Sequence, residues 1–548
     1  MDKLPENTTT SSKKKWFYAV FIVINLLLSC YYVDVWITPN TACRAIPVLT
    51  LFEDKTIVVD KYKDFAGDVS RIVKNKDTNY YSNKAPLSTF LVYPFYSAYK
   101  SMGLPELKDT TLKKYPIYDY DAFKTPDGTA PTPDARAFLL PKSATVFMFG
   151  DILCGAIPFV ITLLLSLLAI KRTATKISPV VIVMLSFYAS YIFGYAGVYM
   201  GHILSGFFAL LGYIFLKKKS YILSGLLLGL GMATEFTVGI LVPVWAVLIY
   251  MNENPKDSLW NKFVKLLFFG GGLIPGMVIV LAYNYHLTGS VFKTPYNYEI
   301  HQSKENANEL GFNFPTLSAF WGLVFSTYRG VLYYTPVLIF MLWYVAKNGY
   351  QNILINVKSK LGLVVAGMKN YLLLTVVAFL LLISAYYQWP GGWALGPRYL
   401  IPIVMIVLYE GVIYLSSKPV SAYVFYSLTG IGMVFIWMDK STKIFMFPDY
   451  PQNYETFHLN AAQMEIIHSY QNPIWNIVVP DFMKHHFNTN LLPVFLFDMS
   501  PMAAIYLWPV LFIAALIFLT QWYSKLFPVA VQIPVVKVKP VAKKMKRK

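Results

Sequence analysis

The side chains in this sequence best suited to chemistry begin with a group of acids followed by a lysine. Glu53, Asp54, Asp60, Asp64 and Asp68 precede the run Tyr80-Tyr81-Ser82-Asn83-Lys84-Ala85-Pro86-Leu87. A carboxylate near a fixed lysine suits acid-base work on a phosphorylated substrate, because the ammonium holds phosphate while the carboxylate takes a proton from the attacking group. The same acids would also be at home in a solvated loop. Arg329, in Ser326-Thr327-Tyr328-Arg329-Gly330, and Arg398, in Gln388-Trp389-Pro390-Gly391-Gly392-Trp393-Ala394-Leu395-Gly396-Pro397-Arg398-Tyr399, each stand at the start of an apolar segment. A guanidinium grips phosphate oxygens through two parallel hydrogen bonds, although both arginines would reach headgroup level by snorkelling alone. Trp389 and Trp393 offer faces to a sugar or a prenyl chain, or simply belong to an aromatic belt.

Gly201-His202 and Thr234-Glu235-Phe236 each put an ionisable side chain where two apolar runs meet. A charge in hydrocarbon costs roughly 2.5 to 3.5 kcal/mol, so Glu235 must face a cavity, a partner or water at an interfacial turn. A neutral His202 needs less explanation. Asp119-Tyr120-Asp121 has the D-x-D form that binds a divalent cation through hard oxygens, a triplet that also arises by chance. His485-His486 has no carboxylate or cysteine at metal-ligand spacing and reads as surface. No metal site and no cofactor is expected beyond that cation. Cys30, Cys43 and Cys154 are too few for a disulfide framework.

Composition sets the elements that must position these residues. Of 548 residues, 56% are apolar and 14% charged, and the mean hydropathy is +0.47. A soluble enzyme is about a quarter charged, so this is a membrane protein, and disorder, coiled coil and collagen are excluded with it. The net charge of +19 does not indicate nucleic acid, because Lys and Arg fall in short clusters between apolar runs and in the tail Val536 to Lys548. A helix needs about 20 apolar residues to cross the bilayer. The apolar runs give an all-α polytopic protein of about twelve spans: Trp16 to Trp36, Val146 to Ile170, Ile177 to Met200, His202 to Leu216, Tyr221 to Thr234, Phe236 to Met251, Phe263 to Tyr283, Gly330 to Val345, Tyr371 to Tyr387, Tyr399 to Leu415, Val420 to Trp437 and Met502 to Tyr523.

With Lys13 to Lys15 cytoplasmic, this count puts Lys171-Arg172, Lys217 to Lys219, Lys256 to Lys265, Lys347 to Lys369, Lys418 and the basic tail inside, with both termini. The stretch Pro86 to Leu104 is then a helix in the outer interface, or one that re-enters the membrane. Thr38 to Thr145, Tyr285 to Ser326 and Asp439 to Pro501 face outward. None carries a glycine-rich phosphate loop, which argues against ATP-driven transport. The tail reads as disordered at an anionic inner surface.

Taken in order, Thr41-Ala42-Cys43-Arg44-Ala45, the acidic loop, Tyr80 to Pro86, Gly201-His202, Thr234-Glu235-Phe236, Tyr328-Arg329-Gly330 and Gly391-Gly392-Trp393-Ala394-Leu395-Gly396-Pro397-Arg398-Tyr399-Leu400 resemble a bacterial branch of the GT-C glycosyltransferases. That branch is similar to the protein O-mannosyltransferases and the lipid A aminoarabinose transferases. The resemblance runs from about Trp16 to Leu415 and fades afterwards. It implies a GT-C-like catalytic domain, taken over residues 1–438 with a large first external loop (38–145); the apolar runs and charges place after it an external loop region (439–501), a last span (502–523) and a basic cytoplasmic tail (524–548). It further implies an enzyme of the plasma membrane that transfers a hexosyl or pentosyl group from a polyprenyl phosphate to a glycan, lipid or protein acceptor outside the cytoplasm, usually with inversion.

In that superfamily an Asp of the first external loop is the base and a Lys in a Lys-Pro-Pro-Leu-like motif contacts the donor phosphate. Lys84-Ala85-Pro86-Leu87 matches the latter position. Asn83 stands where relatives tend to have Asp, and Asn40 and Thr41 stand where the aminoarabinose type carries one, so the base lies open between Asp60 and Asp68, with Asp68 favoured. Lys84, Arg398 and Arg329 are then the donor-phosphate ligands, and Glu235, His202, Tyr81, Trp389 and Trp393 the substrate contacts. A transporter or flippase of a lipid-linked sugar is the competing reading. It has no need of an external acid cluster followed by a Lys-Pro-Leu-type motif.

Overall fold

The computed structural model describes residues 8–32, 39–63, 68–74, 77–106, 140–170, 173–254, 256–298, 311–343, 369–392, 394–442, 472–488 and 491–527. Asp64, the Asp119-Tyr120-Asp121 triplet, Trp393 and the basic tail from residue 528 on lie outside these residues.

Where water is excluded, intrahelical hydrogen bonds are the backbone's way to satisfy itself, and the apolar runs accordingly form helices. Helix α1 (Thr8–Ser29) is followed by α2 (Pro39–Glu53), whose residues 40–50 are all buried although the sequence reads them as the start of an external loop. Next comes a departure from the all-α expectation. Strands β1 (Val69–Lys74) and β2 (Asp77–Ser82) form an antiparallel hairpin with Val69 opposite Ser82. Its strands are rich in β-branched and aromatic residues, Val69, Ile72, Val73, Thr78, Tyr80 and Tyr81, the types that favour a pleated, half-buried surface. Helix α3 (Leu87–Ser101) occupies the stretch expected at the interface.

Helix α4 (Leu140–Gly150) continues through a π-helical turn (Asp151–Ala156) into α5 (Ile157–Ala169). The span expected over 177–200 is instead two helices, α6 (Pro179–Tyr188) and α7 (Tyr191–Tyr195). Ser190 between them is extended, and its hydroxyl donates to the Phe187 carbonyl at 2.6 Å. Then follow α8 (Gly201–Lys217), α9 (Tyr221–Thr234), α10 (Leu241–Asn252), α11 (Leu259–Thr288), α12 (Leu317–Val324), α13 (Val331–Tyr334), α14 (Tyr371–Ser384), α15 (Ile401–Ser416), α16 (Ala422–Ser441), α17 (Val479–Met483), α18 (Leu492–Phe497) and α19 (Pro501–Leu526).

Among the described residues, five helical stretches are long and apolar enough to cross a membrane, namely Lys142–Ala169, Leu259–Thr288, Arg398–Ser416, Ala422–Ser441 and Pro501–Leu526, and six further apolar helices are shorter. The chain is thus a mostly helical integral membrane protein. Helix α9 packs along both α8 and α11. Its seam with α11 is built on Gly225, Gly229, Gly272 and Gly276, spaced four apart, and a Cβ on Gly276 would lie 2.1 Å from the Gly229 backbone. Small residues at that spacing let two membrane helices touch backbone to backbone. A second apolar cluster, including Cys43, Val92, Tyr96, Phe147 and Tyr199, ties α2, α3 and α4 together at the end of the bundle that carries the hairpin.

Candidate active site

Asp68 immediately precedes β1, and Lys84 lies just beyond β2. Because Val69 pairs with Ser82, the antiparallel register brings the residues outside the hairpin's open end together. Lys84 Nζ is 2.8 Å from Asp68 Oδ2; the lysine side chain is 6% exposed and the aspartate 29%, so the carboxylate is the member that meets solvent. Burial alone would raise the Asp68 pKa, but the Lys84 ammonium, with Arg398 and Arg44 behind it, outweighs burial and holds the carboxyl below its usual range. Burial likewise disfavours the Lys84 ammonium, and the Asp68 carboxylate more than offsets it, so the amine titrates above its usual value.

The hairpin is docked rather than free. Ser70 Oγ donates to the Pro295 carbonyl at 2.6 Å and Tyr283 Oη to the Ser82 carbonyl at 3.4 Å. This fixes the turn after α11, whose Tyr296 ring lies under Lys84 Nζ at 5.3 Å from its centroid, with the hydroxyl 3.5 Å away.

Helix α2 supplies the next layer. The Cys43 thiol donates to the Asp68 carbonyl at 2.6 Å. Its neighbour Arg44, fully buried, donates through Nη2 to Glu235 Oε1 and through Nη1 to the carbonyl and side chain of Asn40. Glu235 is extended between α9 and the turn that leads into α10. His202 Nδ1 lies 3.7 Å from Glu235 Oε1, while the imidazole sits edge-on to Tyr195 and Tyr399. A Cβ on Gly201 would come within 2.6 Å of Glu235 Oε1. The missing side chain therefore lets the carboxylate rest at the N-terminus of α8, where free N–H groups favour negative charge.

Arg398 arrives from the other side. Gly391, Gly392 and Gly396 take φ of +85°, +63° and +60°, values that glycine reaches without steric cost, and the resulting turn carries Arg398 over the Tyr399 ring at 5.3 Å. From there it is within electrostatic reach of both Asp68 and Glu235. Arg329 occupies the turn's underside: its guanidinium donates to the carbonyls of Ala394 and Gly392 and stacks on Tyr328. These contacts make Arg329 the brace of the Arg398 turn.

The structure thus brings Asp68, Lys84, Glu235, His202 and Arg398 together. Asp60, the other candidate base, is exposed and accepts from the Tyr80 N–H at 2.6 Å, closing the loop onto β2. Tyr81 is buried with Ile72 and Leu287, and the Trp389 ring covers Gly322 of α12, where a Cβ would lie 2.1 Å from it. Sequence reasoning named Cys43 and Arg44 within the Thr41 to Ala45 motif without giving them a place in the site, and gave none to Asn40 or Tyr296. For Arg44 a signal existed, a lone charge in the apolar run Ala42 to Val48. For Tyr296 there was none, because its place depends on how the hairpin docks. Among the described residues no group of three or more His, Cys, Asp or Glu side chains is arranged to hold a metal ion. His486 does have a carboxylate partner, Asp481, at 3.2 Å.

No family model matches this chain, and no curated protein matches it. Among solved structures it is similar to ArnT from Cupriavidus metallidurans in the apo state, with a TM-score of 0.40 and 12% sequence identity over 94% of this chain and 78% of that one.

Proposed function

We propose that this protein is a membrane glycosyltransferase that moves a sugar from a polyprenyl-phosphate donor to an acceptor hydroxyl on the extracytoplasmic side, through about twelve crossings with both termini cytoplasmic. The observation that carries the reading is the Asp68–Lys84 contact at 2.8 Å, on a carboxylate that is partly exposed, with Arg398 and Arg44 in electrostatic reach. One side of such a centre can hold a phosphate and the other can accept a proton.

Asp68 takes the proton of the acceptor hydroxyl as its oxygen attacks the anomeric carbon. The bond from that carbon to the phosphate oxygen breaks, and the polyprenyl phosphate leaves with the bonding pair. Lys84 and Arg398 stabilise the charge that grows on the leaving oxygen, and a single displacement inverts the anomeric configuration. Arg329 holds the turn on which Arg398 stands. Glu235 and His202, anchored by Arg44, line the buried side and offer hydrogen-bond partners to sugar hydroxyls. Lipid phosphate is itself a competent leaving group, so no nucleotide enters the reaction.

The test is transfer of labelled sugar from a panel of polyprenyl-phosphate donors in membranes holding wild type, Asp68→Asn or Asp60→Asn at matched expression. The expected result is transfer by wild type, a loss of about a hundredfold or more in Asp68→Asn, and activity within a few-fold of wild type in Asp60→Asn. Transfer that survives in both variants would overturn the assignment and favour carriage of the lipid-linked sugar instead.

A further inference from the structure

Resting on the transferase reading, we infer that Lys84 is contested between two anions: the Asp68 carboxylate holds it in the donor-free protein, the donor phosphate takes it over on binding, and the base is released only then.

The geometry points this way for three reasons. First, the residue placed to bind phosphate is already in direct contact with the residue placed to accept the proton. A carboxylate in full contact with an ammonium is a poor base, since its charge is already compensated. Second, Lys84 already has a further partner within reach. The main chain is held on both sides, the Asp68 carbonyl by the Cys43 thiol at 2.6 Å and the Asn83 N–H at 3.4 Å, the Lys84 N–H by the Ser82 hydroxyl at 3.2 Å. Lys84 nonetheless ends in a rotatable ammonium on a four-carbon stem, and that ammonium touches the Tyr296 hydroxyl at 3.5 Å while paired with Asp68. Third, the other cations, Arg398 and Arg44, act on Asp68 only from a distance. Of the charged and titratable groups facing the pair, Arg44 is committed to Glu235 and Asn40, His202 faces Glu235, Cys43 is committed to the Asp68 carbonyl, and Arg398 stands over Tyr399.

No proton needs to cross in the exchange. Lys84 keeps its proton, Asp68 stays ionised, and the ammonium changes partner from a carboxylate to a phosphate of equal sign. The consequence is an order of events. Acceptor activation waits for the donor, and a protein without donor holds no active base.

A water-soluble carbodiimide reads the contact directly: it activates a carboxylate, and an amine already touching that carboxylate displaces a urea and forms an amide. Treatment of the purified full chain in detergent, followed by peptide mass spectrometry, is expected to link Asp68 to Lys84 without ligand and to lose most of that link at saturating undecaprenyl phosphate. The Glu53–Lys142 pair, 2.8 Å apart, is the internal control and should link equally in both samples. A persistent Asp68–Lys84 link with the lipid bound overturns the exchange. So does its absence without ligand while the control links.

Binding of undecaprenyl phosphate, followed by calorimetry, supplies the second readout. Asp68→Asn removes the competitor and is expected to bind the lipid about tenfold tighter (about 1.4 kcal/mol); unchanged or weaker binding counts against the exchange. No binding to wild type at all removes the transferase reading and this inference together, whereas binding with the link intact removes this inference alone.

Discussion

Helix α9 joins two clusters of charge that use the same residue types in opposite ways. At its first turn Glu253 accepts from the Tyr221 hydroxyl and from Lys265, lies 3.4 Å from Lys219, and shares Lys265 with Asp257 at 2.7 Å. Both oxygens are served, and the lysines reach water, with side-chain exposures of 54% for Lys219 and 28% for Lys265. About 21 Å away along the helix, Glu235 faces Arg44, which is 1% exposed. There, Arg44 Nε and His202 Nε2 find no hydrogen-bond partner among the described residues. Buried polar atoms left over after all protein contacts are made are open to water, an ion or a ligand. The carboxylate at one end of the helix has both oxygens served, and the charged cluster at the other keeps polar atoms unserved.

The sharpest way to test this contrast is to make one substitution at both ends. Lys84→Met is expected to lower sugar transfer by about a hundredfold or more, as loss of a group that stabilises leaving-group charge does, while Lys265→Met leaves transfer unchanged. Equal effects in a labelled-sugar assay would erase the distinction.

Stability should separate the ends next. Glu235→Gln strands the Arg44 guanidinium in the interior, and breaking a buried pair in that way costs roughly 3 to 5 kcal/mol. Glu253→Gln keeps an acceptor for Tyr221 and leaves lysines that water can solvate, at about 1 kcal/mol or less. Thermal unfolding of the two variants in one detergent measures the difference, and a smaller loss for Glu235→Gln would show that Arg44 is better solvated than its burial indicates.

Acid should read the ends through different observables. The Glu253 carboxyl, which burial alone would raise, is held below its ordinary 4.5 by hydrogen bonds from Lys265 and Tyr221. A depressed folded value means that its contribution to stability is complete above 4.5 and is lost as pH falls through the lowered value. Asp68 lies below its ordinary 3.8, so the acid limb of kcat/KM for the donor, which reports the free enzyme, should fall below that pH. If the donor releases the base, the acid limb of kcat must lie higher than that of kcat/KM. Superimposed limbs would mean that Asp68 keeps Lys84 throughout the cycle. The smallest expected effect is that of salt, which should measurably weaken only the Glu253 cluster, whose lysines reach water.

Much of this was legible in the sequence because it depends on neighbours in the chain. Apolar runs locate the helices, Thr234-Glu235-Phe236 marks the junction between α9 and α10, and the glycines before Arg398 mark a turn. The π-helical turn after α4 and the break at Ser190 were not legible, since both sit inside runs whose composition fits an unbroken span. The hairpin could have been read from residues 69 to 82 but was overshadowed by the helical pattern around it.

What the sequence determined by itself is the solvent this chain folds in, the helices that solvent demands, and which rare charges must be accounted for. Those follow from composition and from the cost of bare backbone in hydrocarbon. What the tertiary structure decided is who those charges belong to. Asp68 meets Lys84 across sixteen residues because of one strand register, and Arg44 meets Glu235 across 191 because α2 is buried against the junction of α9 and α10. Pairing at that range is set by packing in three dimensions, and packing leaves no periodic trace along the chain.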